Sequence, residues 1–138
     1  MTGSHDEVKW GYSNISQLLG MNINRADKKA GIIEASFVAN GSFENSIGNI
    51  QGGILTAMLD DLMGYALGIT LPKTHFAPTA NLNVSFLRPA AAGTLHGRGE
   101  ILKKEGDIFY LAGKIYNKDN QLLAAATCKA KLGLVTKA

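Results

Sequence analysis

Asp60 is the residue of this chain whose surroundings first suggest chemistry. When its apolar segment is drawn as a helix, Asp60 shares one face with Thr56, Ala57, Gly64 and Gly68. A solvated helix face usually carries Lys, Glu or Gln, whereas this face has small residues around one carboxylate. Glycine inside a helix costs about 1 kcal/mol relative to alanine, so the two glycines indicate that a ligand or another backbone comes close. Such a carboxylate is a candidate for chemistry, and the alternative is a rim acid at a helix-to-helix dimer contact.

Gly52 and Gly53 open the same helix and leave its first-turn amides unshielded by side chains. Those N–H groups have no acceptor within the helix, and the helix dipole adds positive potential there. A carbonyl oxygen or developing oxyanion would be stabilised at this position, although glycines also occur at helix starts for steric reasons alone. Gly52 precedes Asp60 by eight residues, about 12 Å along a helix axis. If both act on one carbonyl carbon, they must come from different subunits, which predicts at least a dimer with its site at the interface.

The elements that would position these residues follow from the hydrophobic periodicity. A short N-terminal helix, capped by Ser13 or Asn14, is predicted before a first pair of strands. A loop and then one long helix follow, the helix running from Gln51 to about Thr70. The predicted strands lie near residues 21–26, 31–38, 81–86, 93–104, 107–117 and 121–134. Successive strands with tight turns form an antiparallel sheet that only the long helix can cover, so the fold class is α+β.

Composition limits the chain to one domain and excludes several classes of protein. The chain has 138 residues, of which 46% are hydrophobic and 18% charged, enough for a core without disulfides. We predict an N-terminal tail over residues 1–12 and a single domain over residues 13–138. The net charge is +3, but the basic residues are scattered, so no nucleic-acid footprint is expected.

No membrane span or targeting segment is predicted either. The longest apolar stretch without charge, Leu62 to Leu71, is half of the roughly 20 residues that a membrane-spanning helix needs. The N-terminus has no signal-peptide pattern, so a cytoplasmic location is expected. The single cysteine, Cys128, lies in an alternating segment without a nearby His and is expected to pack in the core.

Two segments resemble a known family, the hotdog-fold acyl-CoA thioesterases, in the branch related to the phenylacetate-pathway thioesterase. Residues 43–60, Phe-Glu-Asn-Ser-Ile-Gly-Asn-Ile-Gln-Gly-Gly-Ile-Leu-Thr-Ala-Met-Leu-Asp, resemble its loop and helix signature. Residues 83–90, Asn-Val-Ser-Phe-Leu-Arg-Pro-Ala, resemble the strand that follows. The likeness covers roughly residues 12–135. It implies an antiparallel sheet wrapped around one long central helix, a homodimer and, in many relatives, a homotetramer.

The resemblance also implies roles for individual residues. It assigns Asp60 as nucleophile or general base and the Gly52 amide as the donor that polarises the thioester carbonyl. Asn45 matches a loop Asn that places substrate or water, and Thr79 matches a Ser or Thr that orients the attacking water. Gln51 departs from the pattern, because many relatives have His there. Gln forms hydrogen bonds but cannot titrate, so a proton-transfer role at this position is in doubt.

The chemistry fits these residue types, because a thioester carbonyl is already activated and a carboxylate with one oxyanion donor can suffice. The predicted substrate contacts are Gly53, Leu59, Asp61, Met63 and Arg88. Lys103 and Lys104 are further candidates for the CoA end.

No serine triad, metal-ligand spacing or cofactor motif is visible, and His5, His75 and His96 are not expected to be catalytic. The predicted function is hydrolysis of an acyl-CoA, with an aryl or medium-chain acyl group favoured, to the free acid and CoA. Two alternatives remain: a non-catalytic acyl-CoA binding protein, and a hotdog hydratase or dehydratase, which would need a His paired with an acid.

Overall fold

The structure, a computed structural model, describes residues 11–135. Its elements in chain order are α1 (Asn14–Leu18), β1 (Asn22–Asp27), β2 (Ile32–Ala39), α2 (Gly52–Gly68), β3 (His75–Phe76), β4 (Thr79–Phe86), β5 (Gly93–Glu105), β6 (Ile108–Tyr116), β7 (Leu122–Lys131) and β8 (Gly133–Leu134). A short 3-10 helix, Gly41–Phe43, interrupts the loop before α2. The predicted order of a short helix, two strands, a long helix and four strands is confirmed.

Six strands form one antiparallel sheet in the order β1-β2-β5-β6-β7-β4. Strands β3 and β8 form a separate two-stranded sheet that sequence periodicity did not predict, because each has only two residues. The helix α2 packs on one face of the large sheet, which confirms the predicted α+β class. Strand β4 is an edge of the sheet and pairs only with β7.

Glycines in the central strands let α2 lie directly on the sheet. A Cβ at Gly99 would come within 2.1 Å of the Leu62 carbonyl oxygen, and one at Gly97 within 2.4 Å of Leu62 Cδ1. A Cβ at Gly113 would be 3.2 Å from Met63 Cγ. Glycine within a strand often marks such a close approach of backbones. Because of this close contact, the buried residues of the helix extend well beyond a single apolar stripe.

This packing corrects the predictions for Leu59 and Met63, which were expected to line the substrate pocket. Both side chains are buried in the core, with exposed fractions of 0% and 1%. They face Gly113 because the sheet curves around the helix. The structure therefore assigns them to packing of the helix on the sheet.

The N-terminal helix α1 begins at the predicted cap. The Ser13 side chain accepts a hydrogen bond from the Ser16 amide, and the helix runs to Leu18 with Leu19 as its C-cap. The Tyr12 hydroxyl accepts a hydrogen bond from the Ile23 amide at 2.9 Å. Tyr12, the last residue of the predicted tail, is therefore hydrogen-bonded to β1. The remainder of the predicted tail, residues 1–10, lies outside the described residues.

None of the helices within residues 11–135 combines the length and the apolar character that crossing a membrane requires.

Candidate active site

Asp60 lies in an open cleft on the uncovered side of α2, which we call the carboxylate cleft. Its volume is about 400 Å³, and its lining includes Asp60, Asp61, Gly64, Thr79 and Ser13. The Thr79 hydroxyl donates a hydrogen bond to Asp60 Oδ1 at 2.8 Å. A Cβ at Gly64 would meet nothing within 4 Å, so this face of the helix is open in the single chain, and the ligand or backbone expected to approach it stays a prediction.

A β-bulge brings Thr79 to Asp60. Thr79 pairs with Ala130, which is buried on the helix side, whereas Asn81 pairs with the exposed Lys129 on the opposite face. In a regular strand, residues two apart face the same side, so Thr79 would face away from the helix. The extra residue between them, Ala80, turns Thr79 inward. Bulges commonly re-aim a side chain in this way near functional sites.

Asp61 lines the same cleft but has a structural partner. The hydroxyl of Ser16, a side chain with no exposed area, donates to Asp61 Oδ2 at 2.6 Å and lies 3.1 Å from the Tyr65 hydroxyl. Burial raises the pKa of Asp61 above its ordinary value, the Ser16 hydrogen bond lowers it, and the neighbouring Asp60 charge raises it further. These contacts hold α1 against α2 beside Asp60. A substrate contact by Asp61 stays a prediction.

Cys128 lies on the inner face of β7, near Asp60. It is buried, and burial together with the Asp60 charge raises the pKa of its thiol to about 11. A thiol of this pKa is almost entirely protonated at neutral pH and is a poor nucleophile. The contact with the core agrees with the packing role expected from the sequence.

The start of α2 borders a second cleft, which we call the amide cleft. Its volume is about 300 Å³, and its lining includes Asn45, Gly52, Phe86, Leu87 and Arg88. The helix N-cap, Gln51, makes no side-chain capping hydrogen bond. Within residues 11–135, no group accepts a hydrogen bond from the Gly52 or Gly53 amide. The Gly52 N–H is therefore free to bind an oxygen in the cleft.

The loop before α2 holds Asn45 at the edge of this cleft. Asn45 Oδ1 accepts hydrogen bonds from the amides of Ile47 and Asn49, each at 3.1 Å. The Ile50 amide donates to the Ala90 carbonyl at 2.8 Å and fixes the end of the loop. Because the Asn45 oxygen is used by the loop, the side chain can offer a ligand only its Nδ2 donor. Its proposed role in placing substrate or water stays a prediction.

The other predicted residues at this end occupy different positions. Arg88 lines the amide cleft, and its Nη1 donates to the Leu122 carbonyl at 2.8 Å. Gln51 and Gly53 flank Gly52 without lining the cleft. The Gln51 amide donates to the Phe43 carbonyl at 2.9 Å, which anchors the helix start.

Phe86, which sequence reasoning did not select, lies against the helix start. A Cβ at Gly52 would be 3.2 Å from Phe86 Cζ, so a glycine fits the ring closely at this position. Phe86 remains 54% exposed although it pairs with the fully buried Ala124 on the inner face of the sheet. The alternation of β4 placed Phe86 on the inner face of the sheet. Its exposure there was visible only in the structure.

The structure thus distributes the predicted site over two separate clefts of one chain. Asp60 and Thr79 lie at one cleft, and Gly52 and Asn45 at the other. This arrangement is what the spacing of Gly52 and Asp60 along one helix requires. Strand β4 connects the clefts, with Thr79 at its first residue and Phe86 at its last.

The histidines of the described region lie away from both clefts. His75 Nδ1 is 2.9 Å from the Thr74 hydroxyl, and His96 lies in β5 on the face away from the helix. His5 lies outside the described residues. Within residues 11–135, no group of three or more His, Cys, Asp or Glu side chains could hold a metal ion. The His–acid pair expected for a hydratase is not formed by His75 or His96.

The chain is similar to known proteins in sequence and in fold. Residues 47–124 match the family model of the thioesterase superfamily. The chain is 35% identical to a phenylacetic acid degradation-related protein from Ralstonia eutropha JMP134, with 93% of this chain and 97% of that chain covered and a TM-score of 0.84. No curated protein matches the chain.

Two more distant structures share the fold. The PaaI protein from the phenylacetic acid degradation operon of E. coli is 22% identical, with 85% of this chain and 86% of that chain covered and a TM-score of 0.77. The smu.793 protein from Streptococcus mutans UA159, whose structure contains acetyl-CoA, is 18% identical, with 85% and 91% covered and a TM-score of 0.75. These similarities confirm the predicted hotdog fold.

Proposed function

Because this chain belongs to the thioesterase superfamily, we propose that it hydrolyses acyl-CoA thioesters and that Asp60 is its catalytic carboxylate. The observation that carries this proposal is the hydrogen bond of 2.8 Å between Thr79 and Asp60 in an open cleft. A carboxylate oriented by a hydroxyl is suited to act on a reacting group directly or through one water. The acetyl-CoA bound to the Streptococcus mutans protein supports CoA thioesters as the substrate class.

The proposed reaction needs a carboxylate and an oxyanion donor. The Gly52 N–H binds the thioester oxygen as negative charge develops there. Asp60 accepts a proton from water, the water oxygen bonds to the carbonyl carbon, and the carbon–sulfur bond breaks to release CoA thiolate. The thiolate then takes up a proton, so the products are the free acid and CoA. In the second route, an Asp60 carboxylate oxygen bonds to the carbonyl carbon, the carbon–sulfur bond breaks to release CoA thiolate, and water hydrolyses the resulting anhydride to the free acid and the Asp60 carboxylate.

We propose that the two half-sites meet in a homodimer formed along β4. The other edge strand, β1, carries Arg25 and Asp27 in ion pairs, whereas β4 has no charged residue and exposes an unpaired edge. Uncharged edges are the ones that add a further strand most readily. In an antiparallel pairing of β4 with its copy that is centred between Leu82 and Asn83, Thr79 would lie opposite the partner subunit's Phe86. The carboxylate cleft of one subunit then faces the amide cleft of the other.

The tetramer implied by the family resemblance and the cytoplasmic location stay predictions. So do the aryl or medium-chain preference, the contact of Arg88 with CoA, and the extent of the single domain over residues 13–138.

Release of free CoA thiol tests the function. We expect wild-type protein to cleave at least one member of a panel of aryl, short-, medium- and long-chain acyl-CoAs. Asp60→Asn should abolish this activity without lowering the melting temperature. Asp107→Asn, a change in the turn before β6 outside both clefts, is the matched control and should retain full activity. Binding of acyl-CoA without turnover by wild type would favour the non-catalytic binding protein instead.

A single turnover in H₂¹⁸O separates the two routes. If Asp60 activates water, the acid released in the first turnover carries one ¹⁸O atom. If Asp60 attacks the carbon and water then attacks the Asp60 carboxyl carbon of the anhydride, the first product takes its oxygen from the carboxylate and ¹⁸O appears in Asp60, so label in Asp60 identifies this route. Mass spectrometry of the product and of the protein reads both outcomes.

A further inference from the structure

Phe86 is an apolar surface placed directly beside the candidate oxyanion donor. Its ring comes so close to Gly52 that an added Cβ there would lie 3.2 Å from Cζ and 3.3 Å from Cε1. The ring lines the amide cleft and is 54% exposed. Its neighbour across the strand pair, Ala124, is small and fully buried, which places Phe86 on the inner face of the sheet.

The position of the ring limits what can lie next to it. A thioester oxygen bound to the Gly52 N–H would be about 2.9 Å from the nitrogen. The substituents of the carbonyl carbon then lie in the same cleft as the Phe86 ring, which borders Gly52. One substituent is the sulfur of the polar, amide-rich pantetheine arm, and the other is the acyl group. The apolar ring matches the acyl group.

We propose that Phe86 discriminates among acyl groups, because its ring forms the surface on which the acyl chain lies beside the Gly52 amide. The ring favours large apolar acyl groups over acetyl, which has too few carbons to cover it. This inference rests on the proposed thioesterase function and adds a specificity-determining residue to the same site. Aromatic acyl groups gain additionally from offset or edge-to-face contact with the ring.

A purely supporting role for Phe86 predicts a different pattern. If the ring only braces the start of α2, its removal disturbs the Gly52 amide and slows every substrate by the same factor. If the ring only packs against the partner subunit, its removal weakens the dimer. A change in the ratio between two substrates arises only when the ring touches the part in which they differ.

The test compares kcat/KM for benzoyl-CoA and acetyl-CoA in wild type, Phe86→Ala and Phe86→Leu. We expect Phe86→Ala to lower the benzoyl-to-acetyl ratio by about tenfold, the scale of a lost apolar contact in a specificity pocket. Compared with Phe86→Ala, Phe86→Leu should restore part of the hexanoyl-to-acetyl ratio of kcat/KM and less of the benzoyl-to-acetyl ratio. Leu102→Ala is the matched control, because Leu102 is a 55% exposed strand residue that lines neither cleft. Equal losses for both substrates, or no loss, would overturn the inference.

A binding measurement keeps this test separate from the proposed function. Calorimetric titration of Asp60→Asn with benzoyl-CoA and with free CoA measures the acyl contribution to affinity without turnover. Adding Phe86→Ala to that protein should lower the ratio of the benzoyl-CoA affinity to the free-CoA affinity by about tenfold. If wild type hydrolyses no thioester but this ratio still depends on Phe86, the thioesterase proposal fails and the acyl contact stands. An unchanged ratio contradicts the acyl contact whatever the activity.

Discussion

The two clefts of this chain differ in the source of their polar groups. At the carboxylate cleft, side chains form a network: Thr79 donates to Asp60, and buried Ser16 donates to Asp61. At the amide cleft, the backbone supplies the polar group, and the nearby ring of Phe86 is apolar. One cleft can accept or hold a proton, and the other can stabilise negative charge. The proposed thioester hydrolysis uses both groups, which is why we propose that the two clefts combine across a dimer.

Mixing two inactive variants gives the largest expected effect. Asp60→Asn disables the carboxylate cleft, and Gly52→Pro removes the N–H of the amide cleft. If the clefts of different subunits combine, a mixed dimer has one intact site, made of Gly52 from the first variant and Asp60 from the second. Co-refolding the two in equal amounts should restore about a quarter of wild-type turnover, since half of the dimers are mixed and each has one working site. No recovery, with mixed dimers shown by mass spectrometry, would mean that the site lies within one chain.

Gly52→Pro alone should lower kcat by about 10²–10³-fold, the range for loss of one oxyanion donor. Proline is tolerated at the first helical position, and Gln51 before it has φ −62° and ψ 141°, which a residue preceding proline adopts readily. Gly52→Ala is the control, because it keeps the N–H and adds a similar carbon next to Phe86. A comparable loss in both variants would assign the effect to displacement of the ring instead.

Removal of the Thr79 hydroxyl tests the orientation of the carboxylate. Thr79→Val keeps the shape of the side chain but cannot donate to Asp60, so kcat should fall by about tenfold while KM changes little. Thr79→Ser retains the hydroxyl and should stay close to wild type. If Thr79→Val were fully active, the hydrogen bond of 2.8 Å would have no part in the reaction.

Local patterns in the sequence predicted the elements, because each depends on neighbouring residues. The cap at Ser13, the long helix and the alternating strands all fall in this class. The burial of Leu59 and Met63 depends instead on how the sheet curves around α2. A clue was present in Gly97 and Gly99, two glycines on the same side of a strand, which indicate a close approach.

The contacts within the site join residues that are far apart in the chain, so local sequence patterns did not predict them. Thr79 and Asp60 are 19 residues apart, and only the family resemblance connected them. The bulge at Ala80 that turns Thr79 inward has no signal in the alternation of β4. Ser16 and Asp61 are 45 residues apart, and nothing in either local pattern predicted their contact.

Ser16→Ala should destabilise the protein by removing hydrogen bonds at the carboxylate cleft, and it should leave the amide cleft unchanged. Its hydroxyl lies within hydrogen-bond distance of Asp61 Oδ2 and the hydroxyls of Ser13 and Tyr65, and the side chain is fully buried. Loss of this group should lower the free energy of unfolding by about 1–3 kcal/mol, because buried polar partners lose a hydrogen bond. Chemical denaturation measures the loss. Ser85→Ala, an exposed change in β4, is the control and should have little effect.

The smallest expected effect is the pH dependence that Asp61 confers on stability. Burial, the largest influence, raises the pKa of Asp61 in the folded protein above its ordinary value of 3.8. The unfolded chain therefore releases this proton at lower pH than the folded protein. As the pH rises from the unfolded pKa to the folded pKa of Asp61, ionisation of this carboxyl lowers the free energy of unfolding. Asp61→Asn removes that cost, and its amide oxygen can still accept from Ser16. The melting temperature of Asp61→Asn relative to wild type should rise from the ordinary pKa upward and become constant above the raised pKa. A relative melting temperature that fell over this interval would show that the Ser16 hydrogen bond outweighs burial and that the folded protein favours the charged form of Asp61.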